Sequence, residues 1–192
     1  MQARHVSYYV VIAVLAALPA ASFALDFEIT PAVQAELDRE KAVVAGWAAD
    51  PIVVKAVQEA NRQGPIPGMD NAKWKGMRRS DPVVKQFQTN SAGRFLTAKL
   101  RESNGTDTEA FLNGSKGQKV AFVEKTTSYI HAGAAKHDVP LTTGRPWQGK
   151  PEFDESTQTY AIQVSAPVVA NGAPIGSLVV GISLSHFKSA SR

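Results

Sequence analysis

Residues 145–154 read RPWQGKPEFD and place an arginine beside a tryptophan in a stretch interrupted by prolines and a glycine. Proline removes a backbone donor and glycine weakens a strand, so the stretch is too broken for a helix or a central strand. The ring of Trp147 offers a flat apolar face that also attracts cations, and Arg145 carries a fork of donors that matches a carboxylate. The stretch therefore either folds back over the core or covers a site that binds a ligand.

Other kinds of chemistry have little support in the sequence. There is no cysteine, which excludes disulfides, thiol catalysis and cysteine-based metal sites. His131, His137 and Asp138 match no standard helical or hairpin spacing of metal ligands. No G-x-S-x-G nucleophile motif occurs, and the glycines of NGSKG at 113–117 lack the strand-to-helix setting of a phosphate loop. We therefore predict no enzyme activity, no catalytic residues, no metal site and no cofactor.

The composition is that of ordinary globular protein. The 192 residues are 44% hydrophobic and 20% charged, which suits one domain and is unlike a disordered chain. The formal net charge is +4, but the basic residues are scattered and are not interleaved with aromatic residues along one stripe. Binding to nucleic acid needs clustered charge, so we do not expect a nucleic-acid partner.

The N-terminus has the pattern of a secretory signal peptide. A short polar start with Arg4 and His5 is followed by an apolar run with Pro19 near its end, and Ser22 and Ala24 are small enough for a cleavage site before Leu25. The alternative is an uncleaved membrane anchor, for which the run has marginal length. No second apolar stretch of spanning length follows. We expect a signal peptide at 1–24 and a mature chain, 25–192, that is periplasmic or secreted.

Three helices are predicted from their start signals. Thr30, Asp50 and Asp81 are each followed by proline, which joins a capping side chain to a residue favoured at the first helical position. The third helix is predicted to continue to about Ala98, since apolar and small residues recur at spacings of three and four. Gly64 and the prolines that follow it are expected to end the second helix.

The second half of the chain changes to strand periodicity. Residues 109–123 contain short apolar runs around a glycine-rich turn, which predicts a hairpin. Residues 160–183 predict a longer hairpin, because two alternating runs flank Asn171-Gly172, the favoured pair for a tight turn. One face of this hairpin is bulky and apolar and should pack on the N-terminal helices. The other face is smaller and partly polar, and it either floors a pocket or meets water.

Several longer strings occur in an order that resembles a known family. They are WAADPIVVKAVQEAN at 47–61, FLNGSKGQKVAFVEKTTSY at 111–129, RPWQGKPEFDEST at 145–157 and IQVSAPVVANGAPIGSLVVGIS at 162–183. The last string contains Pro167-Val168 at the end of one strand and Ile175-Gly176 at the start of the next. This order resembles the Cache (also called PDC) sensor domains, which are extracytoplasmic relatives of the PAS fold.

The resemblance implies an α+β fold in which long N-terminal helices back a PAS-like antiparallel sheet, with residues 25–192 as a single Cache-like domain. It also implies a pocket on the other face of the sheet for a small organic ligand, which is an amino acid, a carboxylate or an amine. The pocket walls would come from about 126–154. The residues expected to bind the ligand are Tyr129, His131, Arg145, Trp147, Asp154 and Gln163.

The context of the domain differs from the family's usual one, in which the domain lies between two membrane spans of a receptor. Here only KSASR follows Phe187. We therefore expect a stand-alone sensor domain that binds its ligand and presents a changed surface to a membrane receptor. The alternative is an interaction subunit of an envelope sensor or transporter that keeps the fold without binding a ligand.

Overall fold

The computed structural model describes residues 27–154, 159–185 and 187, and the predicted signal peptide at 1–24 lies outside them. The helices are α1 (Pro31–Ala48), α2 (Pro51–Gln63), α3 (Asn71–Gly76), α4 (Pro82–Thr89), α5 (Ser91–Glu102) and α6 (Ala135–Thr143). The strands are β1 (Asp107–Gly114), β2 (Lys119–Phe122), β3 (Trp147–Gln148), β4 (Glu152–Asp154), β5 (Thr159–Ala170) and β6 (Ala173–Ser183).

All three predicted helix starts are confirmed. The Thr30 hydroxyl accepts a hydrogen bond from the Val33 amide at 3.3 Å, and the Asp50 carboxylate accepts one from the Ile52 amide at 2.8 Å. Asp81 precedes α4 but does not cap it, because its carboxylate accepts from the Arg78 amide at 2.8 Å instead. The second helix ends at Gly64, as predicted, and this glycine has a positive φ of 73°.

The prediction of one long third helix is wrong, because the chain breaks at Asn90 between α4 and α5. Asn90 is extended, and its side-chain oxygen caps α5 by accepting from the Gly93 amide at 2.7 Å. The two helices meet so closely that a Cβ at Gly93 would collide with the carbonyl oxygens of Phe87 and Gln88. The apolar spacing continues across the break, which explains why periodicity alone gave a single helix.

The strands form one antiparallel sheet in the order β2-β1-β6-β5-β3, and β4 pairs with the other end of β5 beyond β3. Both predicted hairpins are present, and the turn between β5 and β6 is made by Asn171 and Gly172, each with positive φ. Register is fixed across the three central strands, where Glu109 lies opposite Gly181 and Gly181 lies opposite Gln163.

One face of the sheet, which we call the α1 face, packs on α1, α2 and α5. Ile162, Val164, Leu178 and Val180 are buried in one cluster with residues of these helices, such as Leu37. Burial of each such side chain contributes on the order of 1.5–3 kcal/mol relative to exposure. The predicted α+β fold, with long N-terminal helices behind an antiparallel sheet, is therefore confirmed.

The other face, which we call the pocket face, is covered differently. Phe111, Phe122 and Val179 meet an aromatic cluster that includes Trp74 of α3 and Tyr129. Helix α6 covers β5 and β6 on this face. Within the described residues, no helix has both the length and the apolar character needed to cross a membrane.

Candidate functional site

A polar pair lies across the middle of the pocket face. The side-chain amide of Gln163 on β5 donates to a carboxylate oxygen of Glu109 on β1 at 2.5 Å, although β6 runs between these strands. The pair can form because the intervening residue is Gly181, over which the Glu109 side chain lies. A Cβ at Gly181 would stand 2.6 Å from Glu109 Cγ, which is closer than two non-bonded carbon atoms can approach. The absence of a side chain at Gly181 is therefore part of the site.

The RPWQGKPEFD stretch lies along the outer side of β5. Trp147 pairs with Ser165, the Gly149 amide donates to the Gln163 carbonyl at 2.8 Å, and Phe153 pairs with Tyr160. The prolines and Gly149 divide what would be one edge strand into β3 and β4. The stretch is thus an interrupted edge strand, and the ring of Trp147 is half-buried.

A cavity of about 700 Å³ lies between this stretch and the polar pair. Its lining includes the ring of Trp147, two carboxylates, one ammonium and one amide, together with small residues at the floor. The lining residues are Thr108, Glu109, Trp147, Gly149, Lys150, Glu152, Phe153, Ala161, Gln163 and Gly181. A volume of this size accommodates a small organic molecule.

Beside the cavity, a buried polar layer joins α6 to the pocket face. The Lys119 ammonium donates to the side-chain oxygen of Asn113 at 2.9 Å, and the Asn113 amide donates to the Ser177 hydroxyl at 3.1 Å. The same hydroxyl lies 2.9 Å from Nδ1 of His137 on α6. Burial lowers the pKa of Lys119 well below its usual range, and the nearby Lys136 lowers it further. Because these groups are buried and satisfied, the layer holds α6 in place.

His131 lies in the same region, with its ring 5.0 Å from that of Phe111. Its Nδ1 atom is buried without a hydrogen-bond partner among the described residues. Burial lowers the pKa of His131 to about 3, with smaller contributions from Lys119, Lys136 and His137. The imidazole is therefore neutral at neutral pH.

Tyr129 lies away from the cavity, in the aromatic cluster. Its ring is 5.5 Å from Trp74, and its hydroxyl accepts a hydrogen bond from the Ile66 amide at 2.9 Å. Burial raises the pKa of this hydroxyl. Tyr129 also lines a second cavity of about 800 Å³ between α2, the α4–α5 junction and β2.

The structure brings together two of the six residues predicted to bind the ligand, Trp147 and Gln163, which line the same cavity. Arg145 is exposed beside it, and the side chain of Asp154 lies outside the described part of the chain. Glu109 and Gly181 also line the cavity but were not predicted from the sequence. Their only sequence signal is alternation, which places them on the pocket face but does not reveal their register.

The described residues contain no group of three or more His, Asp or Glu side chains placed to hold a metal ion. His131 and His137 face different partners, the Phe111 ring and the Ser177 hydroxyl. The site as described therefore offers hydrogen bonds, charge and aromatic surface.

Comparison with known proteins was informative only at the level of structure. No protein-family model matches the sequence, and no curated protein matches it significantly. The sensor domain of the Vibrio cholerae histidine kinase DctB superposes with a TM-score of 0.53 at 15% identity, covering 82% of this chain and 52% of that domain. The chain thus spans about half the length of that domain.

Two chemoreceptor domains match less closely. One is the ligand-binding domain of the Pseudomonas aeruginosa PAO1 amino acid chemoreceptor PctC in complex with GABA, with a TM-score of 0.47, 15% identity and coverage of 82% of this chain and 58% of that one. The other is the sensory domain of the Campylobacter jejuni chemoreceptor Tlp3 with isoleucine bound, with a TM-score of 0.43, 14% identity and coverage of 84% and 67%. From the sheet order, the backing helices and the match to the kinase sensor domain, this chain has the fold of a single Cache (PDC) sensor domain.

Proposed function

We propose that this chain is a sensor domain, periplasmic or secreted after removal of residues 1–24, that binds a small organic ligand and has no catalytic activity. The observation that carries the proposal is the cavity between Trp147 and the Glu109–Gln163 pair. It combines an aromatic wall with a few fixed polar groups, which is the usual composition of a small-molecule site. The sensor-domain fold supports the same function.

The site has a physical route to an output. Gln163 accepts a hydrogen bond from the Lys136 ammonium on α6 at 2.8 Å while it donates to Glu109. A ligand that moves Glu109 or Gln163 therefore changes a contact of α6. We propose that α6 and the adjoining 144–150 segment form the surface that a membrane receptor reads.

Ligand binding is testable with a thermal-shift screen of the full-length chain against amino acids, carboxylates, amines and purines. A ligand at one hundred times its dissociation constant should add about 2.7 kcal/mol of stability. Trp147→Ala should lower the affinity of a hit, because the ring forms a wall of the cavity. Arg145→Ala should have a smaller effect, since Arg145 is exposed. The matched control is Arg101→Ala, at an exposed arginine of α5.

A hit whose affinity is unchanged by Trp147→Ala would refute this cavity as the site. The second candidate function, an interaction subunit without a ligand, is favoured by the buried layer under α6, where the protein's own side chains fill the space. A panel without any hit would favour that function.

A further inference from the structure

The side chains that line the cavity carry an excess of negative charge. Glu109 and Glu152 contribute two carboxylates to the lining, and Lys150 contributes one ammonium. Lys150 and Glu152 are both exposed, so their charges can remain in water, whereas Glu109 is half-buried. The less hydrated charge at the cavity is therefore negative.

Glu109 has cations nearby but no direct ion pair within the described part of the chain: its charge acts on Lys119 at a distance, and Lys136 reaches it only through Gln163. Among the described residues, neither Glu109 nor Glu152 forms an ion pair, and the ion pairs that occur join other residues, such as Lys99 and Glu102. The hydrogen-bond partner of Glu109 is the neutral amide of Gln163. A half-buried carboxylate gains most from a charged donor, since hydrogen bonds between ions are about twice as strong as neutral ones.

The orientation of the Gln163 amide is set from its other end. The Lys136 ammonium donates to the amide oxygen, which directs the amide nitrogen at Glu109. That nitrogen contacts one carboxylate oxygen of Glu109, Oε1. Among the residues that the structure describes, the second oxygen accepts no hydrogen bond, so it can accept one from a ligand in the cavity.

The aromatic wall of the cavity favours the same sign of charge. The ring of Trp147 lines the cavity, whereas Phe153 pairs with Tyr160 and packs its ring 5.2 Å from the Tyr160 ring on the α1 face. The faces of aromatic rings carry negative charge density, and tryptophan is the strongest of them toward an ammonium group. A carboxylate ligand would meet the carboxylate of Glu109 and the face of the Trp147 ring, and an ammonium would find a favourable partner in each.

We propose that the ligand is an organic amine whose ammonium group binds Glu109 in this cavity, against the ring of Trp147. This inference rests on the proposed function and narrows its ligand class. It assigns Glu109 as the residue that determines specificity and Gly181 as the residue that lets Glu109 lie across the sheet.

A series of four-carbon probes isolates the head group. The full-length chain is titrated calorimetrically with four compounds of the same chain length. 1,4-Diaminobutane carries two ammonium groups, and 4-aminobutanoate carries one ammonium and one carboxylate. 1,4-Butanediol carries two neutral hydroxyls, and butanedioate carries two carboxylates. The diamine should bind most tightly, and butanedioate least. Glu109→Gln should weaken binding of the diamine at least about tenfold, the usual cost of losing a charged hydrogen bond.

The matched control is Glu102→Gln, which makes the same charge change on α5, where Glu102 pairs with Lys99. It should leave the affinity for the diamine within about twofold, because exposed distant charges are screened by salt. An equal loss in both variants would mean that net charge alone attracts the diamine and would overturn the assignment of Glu109.

The two proposals fail in different ways. Binding of butanedioate or butanediol that is weakened by Trp147→Ala, without binding of the diamine, would overturn the amine class and leave the cavity as a ligand site. Binding of the diamine that neither Glu109→Gln nor Trp147→Ala affects would place the amine elsewhere and overturn both proposals. Absence of binding by all four probes and by the wider panel would also overturn both.

Discussion

At the scale of single residues, the candidate site depends on a residue that has no side chain. Gly181 does not need an unusual backbone conformation, since its φ is not positive. What it supplies is the space through which Glu109 reaches Gln163 across β6. Alanine favours a strand more than glycine does. Replacing Gly181 by alanine can therefore change ligand binding without a large loss of stability.

Gly181→Ala should therefore displace Glu109 and reduce ligand affinity about as much as Glu109→Gln, with a change in the free energy of unfolding below about 1 kcal/mol. Ligand titration and chemical denaturation measure the two quantities. Gly46→Ala is the matched control, because an added Cβ there meets no atom within 4 Å on an exposed part of α1. It should stabilise the protein by about 0.5–1 kcal/mol and leave ligand affinity unchanged. Unchanged affinity in Gly181→Ala would contradict the role of Glu109.

Sequence reasoning found part of this site because tryptophan in a broken segment is unusual, and because Gln163 lies on the polar side of an alternating strand. It did not find Glu109, which is 54 residues from Gln163 in the chain. Their contact depends on the register of β1 with β6 and of β6 with β5, which pairing sets over long separations. Arg145 and Tyr129 have the right chemistry, but backbone geometry directs one to solvent and the other to the aromatic cluster.

At the scale of elements, Asn90 connects a helix break to a sheet edge. Its side-chain oxygen caps α5, and its side-chain nitrogen donates to the Val120 carbonyl on β2 at 2.9 Å. Strand β2 is the edge of the sheet. The side-chain amide of Gln88 donates to the backbone carbonyl of Val123, just beyond the end of this strand. These amides cover an edge that would otherwise be open to pairing with another chain.

The two functions of Asn90 are separable. Asn90→Asp keeps an oxygen to cap α5 and loses the donor to Val120, so it should cost less stability than Asn90→Ala, which loses both. A cap is worth about 0.5–2 kcal/mol, and we expect the alanine variant to exceed the aspartate variant by about that amount. Urea denaturation of both variants measures the difference. Equal losses would mean that the cap contributes nothing.

Helix α6 depends on the buried layer rather than on strong helix-forming signals. Its N-terminus has no side-chain cap, and Pro140 lies inside it. The hydrogen bond between His137 and Ser177 attaches it to the sheet. This dependence on tertiary contacts explains why the sequence, which carries clear start signals for α1, α2 and α4, did not reveal α6.

Ser177→Ala should cost about 1–3 kcal/mol, because it leaves the buried amide of Asn113 and a ring nitrogen of His137 without their partner. Hydrogen exchange should show faster opening of α6 in this variant. Ser165→Ala is the control, since the Ser165 hydroxyl is equally buried and has no hydrogen-bond partner among the described residues. Removing that hydroxyl should not destabilise the protein. Equal effects of the two substitutions would contradict the attachment of α6 through Ser177.

At the scale of the whole molecule, two buried groups give opposite dependences of stability on pH. Burial lowers the pKa of His131 from 6.5 to about 3, so the unfolded chain binds more protons between these values. The free energy of unfolding therefore falls as the pH falls through that range. Burial and the nearby Glu40 raise the pKa of Asp107 from 3.8 to about 6, so the folded chain binds more protons between these values. For this group the free energy of unfolding falls as the pH rises through that range.

The two contributions oppose each other between about pH 4 and pH 6, which should flatten the stability profile of the native protein there. Asp107→Asn should steepen the loss of stability on acidification, toward about 1.4 kcal/mol per pH unit for each proton. His131→Phe, which keeps a ring against Phe111 and removes the titrating group, should make the slope less positive in the same window, where the lowered pKa of His137 still acts in the direction of His131. Urea denaturation at a series of pH values measures all three profiles, and parallel profiles would contradict these assignments.

The order of elements along the whole chain was the most predictable property. Start signals, a change from helical to strand periodicity and one Asn-Gly turn predicted the first helices and the two hairpins, and the resemblance to Cache domains implied their arrangement as an antiparallel sheet backed by helices. The site was less predictable, because it forms where segments distant in sequence meet on the pocket face.

The buried layer under α6 also fixes where the His137 ring carries its proton. The Asn113 amide nitrogen can only donate, so the Ser177 oxygen accepts from it and the Ser177 hydrogen is directed at the His137 ring. Since Nδ1 faces Ser177, the neutral ring carries its hydrogen on Nε2 and accepts from the Ser177 hydroxyl through Nδ1. Donation thus runs in a single direction from Lys119 to His137, and a proton added at Nδ1 would leave the Ser177 hydroxyl without this acceptor.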